Sequence, residues 1–139
     1  MFVLDSSVAL AALLGDAEAQ AAEAIVSRIG SESVFAPANF GLEVAGFILR
    51  EVQGGALSEQ DAIALAREAA LWPLAVDDET GPMALNRTLA LALAHRLGAN
   101  EAAYIELCLR RGAPLATMDP RLARVATIHA IRLVIRAPG

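Results

Sequence analysis

Lysine is absent: all eleven basic residues of this 139-residue chain are arginines. A receiver domain fails on that count, and no lysine stands near the chain's acids to neutralise them. The arginine bias is a feature of composition and is not read as phosphate recognition. Cysteine is nearly absent too. Cys108 lies in the apolar helical run from Ala102 to Leu109 and reads as a small buried hydrophobe. One cysteine allows no disulfide framework, which suits a reducing cytosol. Aromatic residues make up 4% of the chain, too few for binding single strands by base stacking. Trp72, just before Pro73, and Tyr104 are read as core anchors. No long apolar run occurs, because Phe2-Val3-Leu4 is broken at Asp5, Ser6 and Ser7, and the next stretch stops at Gly15-Asp16. No basic leader precedes it, so neither export nor a membrane span is expected, and the expected compartment is the cytoplasm.

What is present is apolar. The hydrophobic share is 56% and the mean hydropathy +0.49, high for a soluble monomer, so part of the surface is expected to meet another chain. A chain of this length forms one domain, residues 1–139, that buries roughly 68 to 70% of its unfolded-state surface. The net charge is −5, unevenly spread. Residues 1–82 carry three arginines against thirteen acids. Residues 83–139 carry eight, Arg87, Arg96, Arg110, Arg111, Arg121, Arg124, Arg132 and Arg136, against three acids. Either the halves interleave in the fold, or the second forms a basic patch.

Apolar runs alternate with helical periodicity. Strands are expected at 2–4, 34–36, 73–76, 114–117 and 133–135. Helices are expected at 6–14, 17–29, 39–53, from Ser58 onward with a capping-box pattern, and at 80–97, 101–111 and 120–126. This pattern predicts an α/β fold, a three-layer α/β/α arrangement with a mostly parallel central sheet. In such sheets ligands bind beyond the carboxyl ends of the strands.

Four acids stand in or beside apolar stretches: Asp5, Glu43, Glu101 and Asp119. Asp5 follows the first strand, and Asp119 lies two residues past the fourth. Both belong at the carboxyl edge, though either could instead cap the helix that follows it. Glu43 lies beside the apolar stripe Phe40, Val44, Phe47 and Ile48, pointing at the core or snorkelling from its boundary. Glu101 opens a helix, where the macrodipole also favours an acid. Four unrelated caps have no reason to converge, whereas Mg²⁺ or Mn²⁺ takes several carboxylate oxygens plus water. Left without a cation, such acids repel one another and hold their protons more tightly. With a basic second half and no nucleophilic triad, the set points to phosphodiester hydrolysis. His95 and His129 lack the spacing of a ligand pair and read as boundary packing.

Leu4-Asp5-Ser6-Ser7-Val8-Ala9-Leu10, Pro37 with Leu42-Glu43-Val44, Glu101-Ala102-Ala103-Tyr104, and Leu115-Ala116-Thr117-Met118-Asp119-Pro120-Arg121-Leu122 resemble, in order, the acidic motifs of PIN domains, in particular the VapC-type toxins of toxin–antitoxin pairs. The resemblance implies a single PIN-like domain with helices on both faces of its sheet. It implies a metal-dependent endoribonuclease, the toxin component of a type II toxin–antitoxin system, using Mg²⁺ or Mn²⁺ on RNA. It also implies a homodimer inhibited by a small cognate antitoxin. By motif, the catalytic and metal-holding acids are Asp5, Glu43, Glu101 and Asp119, with Ser6 and Thr117 as hydrogen-bond donors to them. Arg121 and Arg124, just after Asp119, are the expected RNA-phosphate contacts. One departure stands out: the third motif usually has Asp where this chain has Glu101. The extra methylene moves the carboxylate by about 1.5 Å, enough to exchange direct for water-mediated coordination. A second reading therefore stays open, a catalytically weakened PIN-like module that holds antitoxin or RNA without cleaving it. A phosphotransferase of the dehalogenase type is excluded, since Asp5 is followed by Ser6-Ser7 rather than Asp-x-Asp.

Overall fold

Phe2, Val3 and Leu4 are fully buried, so the first strand has apolar neighbours on both faces, as a parallel sheet covered on both sides requires. The computed structural model describes residues 1–135; Arg136 lies outside the described residues. Five parallel strands, β1 (Phe2–Leu4), β2 (Val34–Ala36), β3 (Ala75–Val76), β4 (Leu115–Ala116) and β5 (Leu133–Ile135), pair in the order β3-β2-β1-β4-β5. In register, Val3 lies opposite Phe35 on one side and Leu115 on the other.

From β1 the chain moves outward to β2 and β3, then returns across β1 to β4 and continues to β5. Right-handed crossovers put the helices before β3 on one face and those after it on the other. The packing agrees. Helices α1 (Ser6–Leu14), α2 (Ala19–Val26), α3 (Phe40–Gln53) and α4 (Glu59–Ala70) group together, as do α5 (Thr80–Met83), α6 (Leu89–His95), α7 (Ala99–Arg111) and α8 (Pro120–Ile128). The result is the expected three-layer α/β/α fold. The chain reverses its winding between β1 and β4, which opens a crevice beyond their carboxyl ends.

Helix α7 is the central one, buried from Ala102 to Cys108. It ends at Gly112, whose left-handed φ of 61° lets its N–H reach Cys108 O. Cys108 is free and buried, and burial pushes its thiol well above the usual range. Ser58 caps α4 by accepting the Asp61 N–H, as its motif predicts.

Several boundaries differ from the sequence reading. The helix expected over 80–97 is interrupted by a π-helical turn, Ala84–Thr88, and stops at His95 because Arg96 turns left-handed at φ 55°. The second helix is shorter at both ends, and the third strand keeps only Ala75–Val76. The last helix runs on to Ile128. Among the described residues no helix is long and apolar enough to cross a membrane.

The charged halves do interleave at one place. Arg110 of α7 binds Asp77 through both carboxylate oxygens, at 2.8 and 2.7 Å, and also holds Glu79 and Glu106. The guanidinium draws the Asp77 carboxyl down to about 2. This arginine is therefore not part of a free basic patch.

Candidate active site

Strand β1 delivers Asp5 to the crevice. Its N–H continues the ladder by donating to Ala116 O at 3.0 Å, and its side chain is 5% exposed. Asp5 stands at the N-cap position of α1, yet its carboxylate caps nothing. Instead Oδ2 accepts from Ser7 Oγ and from Thr117 Oγ1, the latter at 2.7 Å. Two donors from two elements fix one buried carboxylate, which a cap would not need.

Glu43, in the first turn of α3, is held at both oxygens. Oε1 accepts from Ser6 Oγ and from Tyr104 OH, each at 3.0 Å, and Oε2 accepts from Asn39 Nδ2 at 2.6 Å. Ser6, expected as a donor to these acids, lies 3.5 Å from Asp5 Oδ1 and makes its shorter bond to Glu43. Thr117 serves Asp5 directly. Asn39 Oδ1 is buried without a protein partner.

Asp119 caps α8 after all, with Oδ1 accepting the Arg121 N–H at 2.9 Å. Its backbone N–H donates to Thr117 Oγ1 at 3.0 Å, so Thr117 links Asp5 to Asp119. Glu101 is the third residue of α7 rather than its first, because the helix begins at Ala99. Its Oε1 accepts the Gly98 N–H at 3.1 Å, and its Oε2 pairs with Arg121 Nη2 at 2.6 Å. Both Glu101 oxygens are thus engaged.

All four acids line one cleft of about 940 Å³, which Ser6, Ser7, Tyr104, Arg50 and Arg121 also border. Arg124 is exposed and does not border it. Sequence reasoning missed four residues here. Ser7 donates to Asp5, Asn39 and Tyr104 hold Glu43, and Arg50 brings a guanidinium. Helical spacing carried two of these signals: Asn39 precedes Glu43 by four residues and Arg50 follows it by seven, both on the same face.

Asp5 titrates near 6, raised above 3.8. Burial is the main cause, opposed by the Ser7 and Thr117 hydrogen bonds, with smaller repulsion from Glu43 and Asp119. Mutual repulsion, the cause expected from sequence, is therefore secondary. Burial also pushes the Tyr104 hydroxyl far up, so it remains a donor to Glu43. Hard carboxylate oxygens facing a shared cleft suit Mg²⁺ or Mn²⁺. No three of these acids bring oxygens within 4.8 Å of one another; among the described residues that spacing is met by Asp77, Asp78 and Glu79. There, Arg110 already pairs with Asp77 and Glu79.

The sequence matches the PIN domain family over residues 2–128. It is 31% identical over 129 residues to Ribonuclease VapC12 from two strains of Mycobacterium tuberculosis, a match that covers 89% of this chain and 91% of each relative. Among solved structures it resembles PAE2754 from Pyrobaculum aerophilum, with a TM-score of 0.70 and 15% identity, over 96% of this chain and 83% of that one. That likeness is one of fold. Acids delivered from β1, α3, α7 and the end of β4 to a single cleft, on a chain that aligns nearly end to end with these relatives, make this a PIN-domain protein of the VapC type.

Proposed function

We propose that the chain is a metal-dependent endoribonuclease, the toxin of a type II toxin–antitoxin pair that acts in the cytoplasm. The observation that carries this is the convergence of Asp5, Glu43, Glu101 and Asp119, from four separate elements, on one cleft at the carboxyl edge of the sheet. Asp5, Glu43 and Asp119 would hold Mg²⁺ or Mn²⁺, with Glu101 joining once Arg121 lets go and waters filling the remaining positions. Bound there, such an ion supplies Lewis acidity, which offsets charge on the phosphorane-like transition state and acidifies a water.

The chain's own residues prepare the cleft. Ser7 and Thr117 orient Asp5, while Ser6, Asn39 and Tyr104 hold Glu43 in one rotamer. Arg50 and Arg121 oppose the acids with positive charge that can draw in a phosphate. The high apolar share fits a homodimer and a small antitoxin that covers apolar surface; Leu85, Leu89 and Leu93 are exposed at four-residue spacing.

Arg121 and Arg124 are assigned to RNA phosphates. Fluorescence anisotropy across a salt series tests this. The Arg121→Ala, Arg124→Ala double variant should bind all RNA sequences more weakly and flatten the log–log salt slope by roughly 0.7 to 0.9 per lost contact. An unchanged slope would put the RNA elsewhere.

The second reading, a module that binds without cutting, is favoured by one observation: both Glu101 oxygens are already taken. Cleavage by Glu101 variants in Mg²⁺ and Mn²⁺ separates the readings. For a nuclease, Glu101→Gln eliminates cleavage, and Glu101→Asp retains or raises it, while losing reach to the Gly98 N–H at up to about 1 kcal/mol. For a binding module, wild type is inactive with either ion and the Asp variant can switch cleavage on. Full cleavage by Glu101→Gln would reduce Glu101 to a helix cap and sink its assignment.

A further inference from the structure

His95 is the last residue of α6 and His129 follows α8 as its C-cap, 34 residues apart in sequence. Boundary packing was the expectation for both. Instead their Nε2 atoms meet at 2.8 Å, with ring centroids 4.9 Å apart and ring planes at 79°. At that distance only one proton fits between the two nitrogens, so one Nε2 donates and the other presents a lone pair. Neither nitrogen is spent on a backbone carbonyl or a carboxylate. Both rings are half-buried and border a cavity of about 480 Å³ between α6 and α7, walled by Ala90, Leu91, Ala94 and Leu109. Its two charged residues are Arg87 and Glu106, and Glu106 is bound through both oxygens to Arg110. Neither histidine borders the acid cleft.

We propose that His95 and His129 form a two-imidazole site for a late first-row divalent ion such as Zn²⁺ or Ni²⁺, tying the end of α6 to the end of α8. Such ions favour neutral ring nitrogens, whereas Mg²⁺ favours carboxylate oxygens, so the site differs from the acid cleft in the metal it takes. Two nitrogens bound at 2.0 to 2.1 Å to a tetrahedral ion stand about 3.3 Å apart. The nitrogens therefore need to part by about half an ångström, and each ring, whose Nε2 now faces the other head-on, needs to tilt by about 35° so that both lone pairs meet at one ion; the cavity has room for the waters that complete the coordination. The ring that now donates moves its proton to Nδ1 as the ion binds, so a neutral pair releases none.

The test is a Zn²⁺ titration of the tag-free chain in excess Mg²⁺, followed by calorimetry and by the imidazole C–H resonances. One equivalent of Zn²⁺ is expected to bind and to shift the resonances of both rings. His95→Gln and His129→Gln should each weaken binding at least tenfold, and Asp5→Asn should leave it unchanged. The proposal is overturned if neither ring responds to Zn²⁺ in the wild type, if either Gln variant binds as tightly as wild type, or if Asp5→Asn abolishes binding. The last result would place the ion in the acid cleft. Neither the expectation nor its failure depends on whether the chain cleaves RNA.

Discussion

Replacing Asp5 with Asn is expected to abolish RNA cleavage and, in the absence of divalent ions, to make the protein more stable at pH 8. The amide matches the carboxylate in shape, and the Ser7 and Thr117 hydroxyls that now donate to Oδ2 can rotate to accept from an NH₂ group. What disappears is the charge a hard cation requires. The same charge is a burden to the fold. Ionising a buried carboxyl that titrates near 6 rather than 3.8 costs about 3 kcal/mol. The Asn variant avoids that cost, so it should gain on the order of 1 to 3 kcal/mol, several degrees of melting temperature for a chain of this size. Function and stability moving in opposite directions distinguishes a catalytic acid from a structural one. Metal-dependent cleavage retained by the variant would remove Asp5 from the mechanism. Cleavage lost together with stability would mean only that the fold was damaged.

Ion-free protein should lose stability as pH rises from about 4 through about 6, and Mn²⁺ should restore it. The folded value for Asp5 lies above its ordinary one, so between the two the folded chain holds more protons than the unfolded chain and rising pH favours unfolding. The contribution is complete below about 4 and gone above about 6, a change of about 3 kcal/mol. Asp77 works the other way. Arg110 holds it near 2, so its contribution is present above its ordinary value of 3.8 and is lost as pH falls toward 2. An ion that binds only the folded state adds about 2.7 kcal/mol at 100 times its Kd. Melting temperatures between pH 4.5 and 8, with EDTA and with Mn²⁺, check the loss through Asp5 and its reversal by the ion. A melting temperature indifferent to millimolar Mn²⁺ at pH 8 would count against an ion at these acids.

Local chemistry made much of this legible in the sequence. Phe2-Val3-Leu4 reads as a buried strand because it has no polar face, and Asp5 ends it abruptly, so the acid's place at the sheet edge follows without coordinates. Asp119 is similar, since Thr117 and Pro120 bracket it between strand and helix. What stayed hidden depends on partners distant in sequence. Nothing near Glu101 announces that Arg121 will pair with it, nor that α7 begins at Ala99 and turns its carboxylate back on Gly98. Nothing near Arg110 predicts that Asp77, in the acidic half, will consume its charge. His95 and His129 have no ligand spacing because their meeting depends on the π-helical turn, the left-handed Arg96 and the length of α8. Burial as the main cause of the raised Asp5 value was likewise invisible, since it is set by how β1, α1 and β4 close around one side chain.

The most direct measurement is the rate at which purified tag-free protein cleaves a structured RNA with Mn²⁺, with Mg²⁺ and with EDTA, beside its affinity for the same RNA. Cleavage with either ion and none with EDTA is the expected result. Equal cleavage in EDTA, or tight RNA binding without cleavage under every ion, would contradict a metal-dependent nuclease at the cleft of Asp5, Glu43, Glu101 and Asp119.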